Sequence, residues 1–135
     1  MRLFGRIRGL FGRPGLANSK ARGDYGERLA ARLLRRKGMK ILGRNYRCPV
    51  GELDILALDK KTDTVLFVEV KTRNDDRIVH PASAVNGEKK KRIRKIAQYY
   101  LGTHPAADYS ARFDIVTVLL LDDEKPRLEH IENAF

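Results

Sequence analysis

The chain has 135 residues, 42% hydrophobic and 33% charged, enough for one domain with a real core and too few for two independent ones. Its 28 Lys+Arg against 17 Asp+Glu leave a net charge of +11, and the single cysteine, Cys48, excludes a disulfide framework and a Cys-rich zinc site. No run reaches the roughly eighteen apolar residues of a membrane span, so an integral membrane protein is excluded and a reduced, cytoplasmic one expected.

Residues 1–23 carry six basic side chains and no acid. Leu3, Phe4, Ile7, Leu10 and Phe11 fall at helical spacing, the pattern of a membrane-surface helix. Gly5, Gly9 and Gly12 oppose a helix at about 1 kcal/mol each, and Pro14-Gly15 break the pattern. Residues 1–22 therefore read as a flexible basic arm, too interrupted for a secretory signal and suited to an extra nucleic-acid contact. The domain is expected over residues 23–135. Asp24 followed by Glu27 has the form of a capping box, and Leu29, Ala30, Leu33 and Leu34 continue it as a helix that Gly38 ends.

Residues 40–47 read as a first strand, with a turn at Pro49–Gly51. Residues 52–58 form a second, and a polar turn over Asp59–Asp63 leads to the apolar, β-branched run of residues 65–71, the pattern of a central strand covered on both faces. A helix starting at Ala82 or Gly87 carries Ile93, Ile96, Ala97, Tyr100 and Leu101 on one stripe and ends near Leu101. Residues 112–121 and 128–131 are two further strands. Three consecutive strands can meander antiparallel, and a strand that follows a long helix can return parallel. The expected fold is α/β, a mixed sheet flanked by helices.

Glu69 and Lys71 end the most hydrophobic strand of the chain, where charges persist only when paired or bound to a metal. At i and i+2 they share a strand face, about 7 Å apart. Asp54 lies on the preceding strand, and facing side chains of antiparallel neighbours sit roughly 5 Å apart, so Asp54 and Glu69 can converge. Two carboxylates and the Val70 carbonyl form an oxygen-only donor set suited to Mg²⁺ or Mn²⁺. Such a site suits phosphodiester hydrolysis, with Lys71 orienting the nucleophilic water or stabilising the charge on the phosphate. Surface ion pairs at the strand ends are the structural alternative. Glu52 shares a strand face with Asp54 and is a candidate to support it.

The positive charge lies in the first three quarters of the chain, since residues 102–135 hold three basic and seven acidic groups. A basic cluster on one side of a domain is what a phosphate backbone requires. Within Lys89–Lys95, Lys90, Lys91 and Arg94 are candidate phosphate contacts, together with Gln98 and with Arg73 beside the Glu-x-Lys motif. Tyr99 and Tyr100 could stack on bases, although Tyr100 fits the apolar stripe. His80, before Pro81, reads as a loop cap, and Cys48 as an inert thiol.

Several segments together resemble the YraN family of uncharacterised bacterial proteins: Gly51-Glu52-Leu53-Asp54-Ile55-Leu56, Phe67-Val68-Glu69-Val70-Lys71-Thr72-Arg73, Gly23-Asp24-Tyr25-Gly26-Glu27, Arg44-Asn45-Tyr46-Arg47, Arg112-Phe113-Asp114-Ile115-Val116 and Ile131-Glu132-Asn133-Ala134-Phe135. That family is similar to the PD-(D/E)XK nuclease superfamily and, within it, to archaeal Holliday-junction resolvases. The resemblance covers residues 23–135. It implies a restriction-endonuclease-like core, Asp54 and Glu69 as metal ligands, Lys71 as the catalytic lysine, Glu27 of the first helix as a further site residue, and a homodimer. Leu53 stands where the superfamily name has proline. Asp114, in a family segment on a buried strand, is expected to take a salt bridge, with a supporting site role as the alternative. The expected function is a metal-dependent endonuclease on structured, branched DNA, DNA rather than RNA. The alternatives are a non-catalytic nucleic-acid-binding module on a nuclease scaffold, and an adaptor whose basic arm meets an acidic partner or a membrane surface.

Overall fold

A computed structural model describes residues 18–74, 85–104 and 108–135. The basic arm up to residue 17 and His80 lie outside them.

The first helix, α1 (Ser19–Arg36), starts earlier than its capping-box pattern suggests. Asn18 is the N-cap, and its side chain accepts from the Ala21 N–H at 2.7 Å. Asparagine is among the best N-caps, so the helix nucleates there and runs through the residues read as the end of the arm. Asp24 is therefore inside the helix, paired with Lys20 at 3.2 Å, and the expected capping box with Glu27 does not form. Glu27 is released from a capping role. The helix stops as expected at Gly38, whose φ of +93° suits glycine.

Strands β1 (Lys40–Cys48), β2 (Gly51–Asp59) and β3 (Thr64–Arg73) form the antiparallel meander. Helix α2 (Gly87–Thr103), capped by Asn86, crosses over and returns the chain in β4 (Ser110–Leu119), parallel to β3. An antiparallel β5 (Arg127–Ile131) closes the order β1-β2-β3-β4-β5. The fold is mixed α/β, a five-stranded sheet with two helices, consistent with a restriction-endonuclease-like core.

The helices cover opposite faces. Ala30, Ala31 and Leu34 of α1 pack on Ile55, Ala57, Leu66, Val68 and Val116. Ile93, Ile96 and Ala97 of α2 pack on Leu56, Leu58, Val65, Phe67 and Ile115. β3 feeds the two faces alternately, which is why its sequence is apolar at nearly every position. Each such buried aliphatic side chain contributes about 1.5–3 kcal/mol. Under α2, Tyr46, Tyr100, Phe67, Phe113 and Phe135 meet ring to ring in sequence at 5.4–6.1 Å, so Tyr100 is a packing residue, while Tyr99 is exposed.

α1 approaches β3 closely at Gly26, where an added Cβ would lie 1.9 Å from Thr72 Oγ1. This contact holds the N-terminal half of α1 against the charged end of β3.

Candidate functional site

The β2–β3 ladder runs from Asp59↔Thr64 to Ile55↔Val68. Beyond that pair the Val70 N–H donates not to backbone but to Asp54 Oδ2, at 2.8 Å. The side-chain alternation of β2 slips at the same place: Ile55 and Ala57 pack toward α1, whereas Leu53 joins Leu56 on the α2 side. Across on β1, Asn45 takes a left-handed φ of +52° between the pairs Arg44↔Ile55 and Tyr46↔Leu53. The sheet thus forks at Asp54. Its carboxylate occupies the opening between two strands, where carboxylates from either face can approach it.

From β3 comes Glu69, buried to 4% side-chain exposure. Burial first, and the adjacent Asp54 carboxylate second, push its carboxyl up to about 7, against the opposing ammonium of Lys89. Lys89 Nζ forms an ion pair with Glu69 Oε2. From α1 comes Glu27, also raised to about 7, by burial and then by Asp54, with Arg44 acting in the other direction. Arg44 Nη2 is 3.8 Å from Glu27 Oε1, and that buried oxygen has no hydrogen-bond partner among the described residues. Asp54, Glu69 and Glu27 are thus brought into one electrostatic neighbourhood by three different elements.

Lys71 lies two residues beyond Glu69, at the edge of a cavity between the start of α1 and the end of β3. Arg73 lines the same cavity. Glu52 is exposed and paired with Arg47 at 3.6 Å, and reaches the site through its field on Glu27 rather than by contact. Asp114 is fully buried in a network of its own. Arg112 grips it with two hydrogen bonds, at 2.9 and 2.8 Å, His130 Nε2 lies 2.7 Å away, and the Asn133 N–H donates at 3.0 Å. Burial alone would raise its carboxyl, yet these bonds hold it below the ordinary value. The salt bridge expected of Asp114 is formed. The network ties β4 to the C-terminal segment, apart from Asp54 and Glu69.

On α2, Lys90 and Arg94 lie over the Phe135 ring at 5.8 and 5.4 Å, while Lys91 and Gln98 are exposed. Lys89 is not among the residues that its basic run alone marks out. The signal was present: it stands four residues before Ile93 and seven before Ile96, one turn upstream on the same buried stripe, so its stem is directed at the sheet.

The donor set near the fork consists of carboxylate and carbonyl oxygens. Among the described residues no three Asp, Glu, His or Cys side chains form a ready metal cage. Asp54 and Glu69 alone suit a cation such as Mg²⁺, which commonly takes one or two protein carboxylates and completes its shell with water and substrate phosphates. Val70 directs its N–H toward β2, and in an extended strand the carbonyl of a residue faces the same side. The residues present therefore fit an oxygen-bound divalent cation, with Glu27 Oε1 as a further unsatisfied acceptor.

The sequence matches the profile of Uncharacterised protein family UPF0102 over residues 26–118. Similar curated proteins include a UPF0102 protein of Syntrophus aciditrophicus, 47% identical over 84% of this chain and 87% of its own length. One from Caldanaerobacter subterraneus subsp. tengcongensis is 45% identical over 87% and 97%. One from Clostridioides difficile is 42% identical over 87% and 99%.

Proposed function

The chain belongs to the uncharacterised protein family UPF0102, the YraN family its motifs resemble, and for it we propose a metal-dependent endonuclease that hydrolyses phosphodiesters in structured, branched DNA. The observation that carries this reading is the meeting of Asp54 and Glu69 at the fork of β2 and β3, on a chain of net charge +11. Convergent carboxylates repel, and carboxyl groups perturbed by burial and by a like charge concentrate at functional sites.

In this reading Asp54, Glu69 and the Val70 carbonyl hold Mg²⁺ or Mn²⁺, which when bound polarises a phosphoryl oxygen and acidifies water. The Val70 N–H fixes one Asp54 oxygen and leaves the other to turn toward the opening. Lys71, at the cavity edge, meets the phosphate and stabilises the charge that develops on it. Glu27, held near neutrality by its surroundings, can take or return a proton close to the working pH. DNA is preferred to RNA as partner, the cytoplasm is the compartment, and a homodimer matches the two equivalent strands that a junction presents. No helix among the described residues is long and apolar enough to cross a membrane.

The Lys89–Glu69 ion pair favours a second reading, a nucleic-acid-binding module without hydrolysis, because it satisfies Glu69 with no cation. Cleavage of a labelled branched duplex in Mg²⁺ separates the two. The endonuclease reading expects product from the wild type and loss of cleavage in Lys71→Ala with DNA binding largely kept. Equal cleavage by the variant would remove Lys71 from the mechanism, and binding without cleavage by the wild type would leave the binding module.

A further inference from the structure

Two glycines of α1 have different surroundings. Gly26 is required by the close approach of Thr72. Gly23, three residues earlier and inside the same helix, is not: a Cβ built there meets none of the described residues within 4 Å. Interior glycine costs a helix about 1 kcal/mol relative to alanine, and at Gly23 no packing contact explains that cost. The space left open is the cavity of about 310 Å³ between α1 and the end of β3, lined by Ser19, Arg22, Gly23, Lys71, Thr72 and Arg73. Three of these residues are basic, two carry hydroxyls, and among the described residues no acid lines the cavity. At about 30 Å³ per water it has room for a phosphate group with its hydration.

We propose that this cavity is a phosphate subsite, which holds the backbone phosphate adjoining the one presented to Asp54 and Glu69, with Gly23 keeping the space open. The proposal rests on the nucleic-acid reading of the site and extends it. Lys71 lies between the two places, about 7 Å along the strand from Glu69. A nucleic-acid strand lying across the end of β3 therefore meets the carboxylate pair and the cationic cavity in succession. The subsite positions the strand and takes no part in bond breaking.

The experiment uses the full chain, wild type and Gly23→Leu, with a fluorescent branched duplex in chelator, so that neither metal nor cleavage enters. Binding is followed from about 50 to 200 mM salt. A leucine side chain starts from a Cβ that meets no described atom within 4 Å and takes up space in the cavity. Gly23→Leu is expected to melt at or above the wild-type temperature, to bind DNA about tenfold more weakly, and to lower the salt slope by about one. Wild-type affinity and slope in a stable Gly23→Leu would overturn the subsite and leave the nucleic-acid reading standing. No DNA binding by the wild type would overturn both. Should Gly23→Leu fail to fold, Arg73→Gln carries the same expectation for affinity and slope, and an unchanged slope there overturns the proposal. Inorganic phosphate, followed through the Gly23 amide signal, identifies the source of the ligand. A shift with free phosphate and none with DNA would mark a site for a small anion and overturn the strand contact.

Discussion

Glu27 and Glu69 both titrate near 7 in the folded chain and near 4.5 when exposed, so the native state binds their protons more tightly than the unfolded state does. A carboxyl raised in this way stabilises the fold below about 4.5 and loses that contribution as pH climbs to about 7, the reverse of a salt-bridged carboxylate. Without divalent cations the protein is therefore expected to melt lower at pH 8 than at pH 5.5, and Glu69→Gln to flatten the difference. Melting curves at the two values check this, and Mg²⁺ should raise the midpoint at pH 8 more than at pH 5.5. Lys89→Met removes the ammonium beside Glu69 and should cost about 1–2 kcal/mol at pH 8, below the full value of a buried pair because Lys89 is 36% exposed. At pH 5.5, with Glu69 protonated, the loss should nearly vanish. Asp54, Glu69 and Lys71 could be chosen from the sequence because charge is anomalous at the end of an apolar strand. Lys89 was hidden because one lysine among seven consecutive mostly basic residues carries no anomaly of its own, and only its phase relative to Ile93 and Ile96 sets it apart.

Strand phase explains which elements were legible. Period-two and apolar runs locate all five strands to within a few residues, and the long crossover helix accounts for β4 returning parallel to β3. Alternation was not a guide at Asp54. A regular pleat would place it squarely opposite Glu69, whereas the slip between Leu53 and Ile55 turns its carboxylate to the Val70 N–H. The start of α1 was displaced for another reason: Asp24 and Glu27 carry a capping pattern, but Asn18 upstream caps first. The same helix supplies a paired prediction. Gly26→Ala must push Thr72 aside and should cost about 1–3 kcal/mol. Gly23→Ala meets no obstacle and should gain up to about 1 kcal/mol. Chemical denaturation of the two variants measures both, and Thr72→Ala should recover part of the loss in the first.

Across the molecule the sheet separates two kinds of buried charge. At the fork, Lys89 pairs with Glu69 while Asp54 accepts from the Val70 N–H, whereas Asp114 is held by Arg112, His130 and the Asn133 N–H together. The second arrangement is self-sufficient and structural, and Asp114→Ala should destabilise the chain by about 3–5 kcal/mol in urea unfolding, with no change in metal affinity for whatever remains folded. The first is short of positive charge on a protein whose net charge is +11, a local deficit inside a global excess. A divalent cation would fill that deficit, and the most direct test is calorimetric titration of the wild type and Asp54→Asn with Mn²⁺ and Mg²⁺, alone and with a branched duplex bound. The account predicts one or two sites in the wild type that disappear in Asp54→Asn. Equal binding by the two proteins, or none by the wild type even with DNA present, would contradict it.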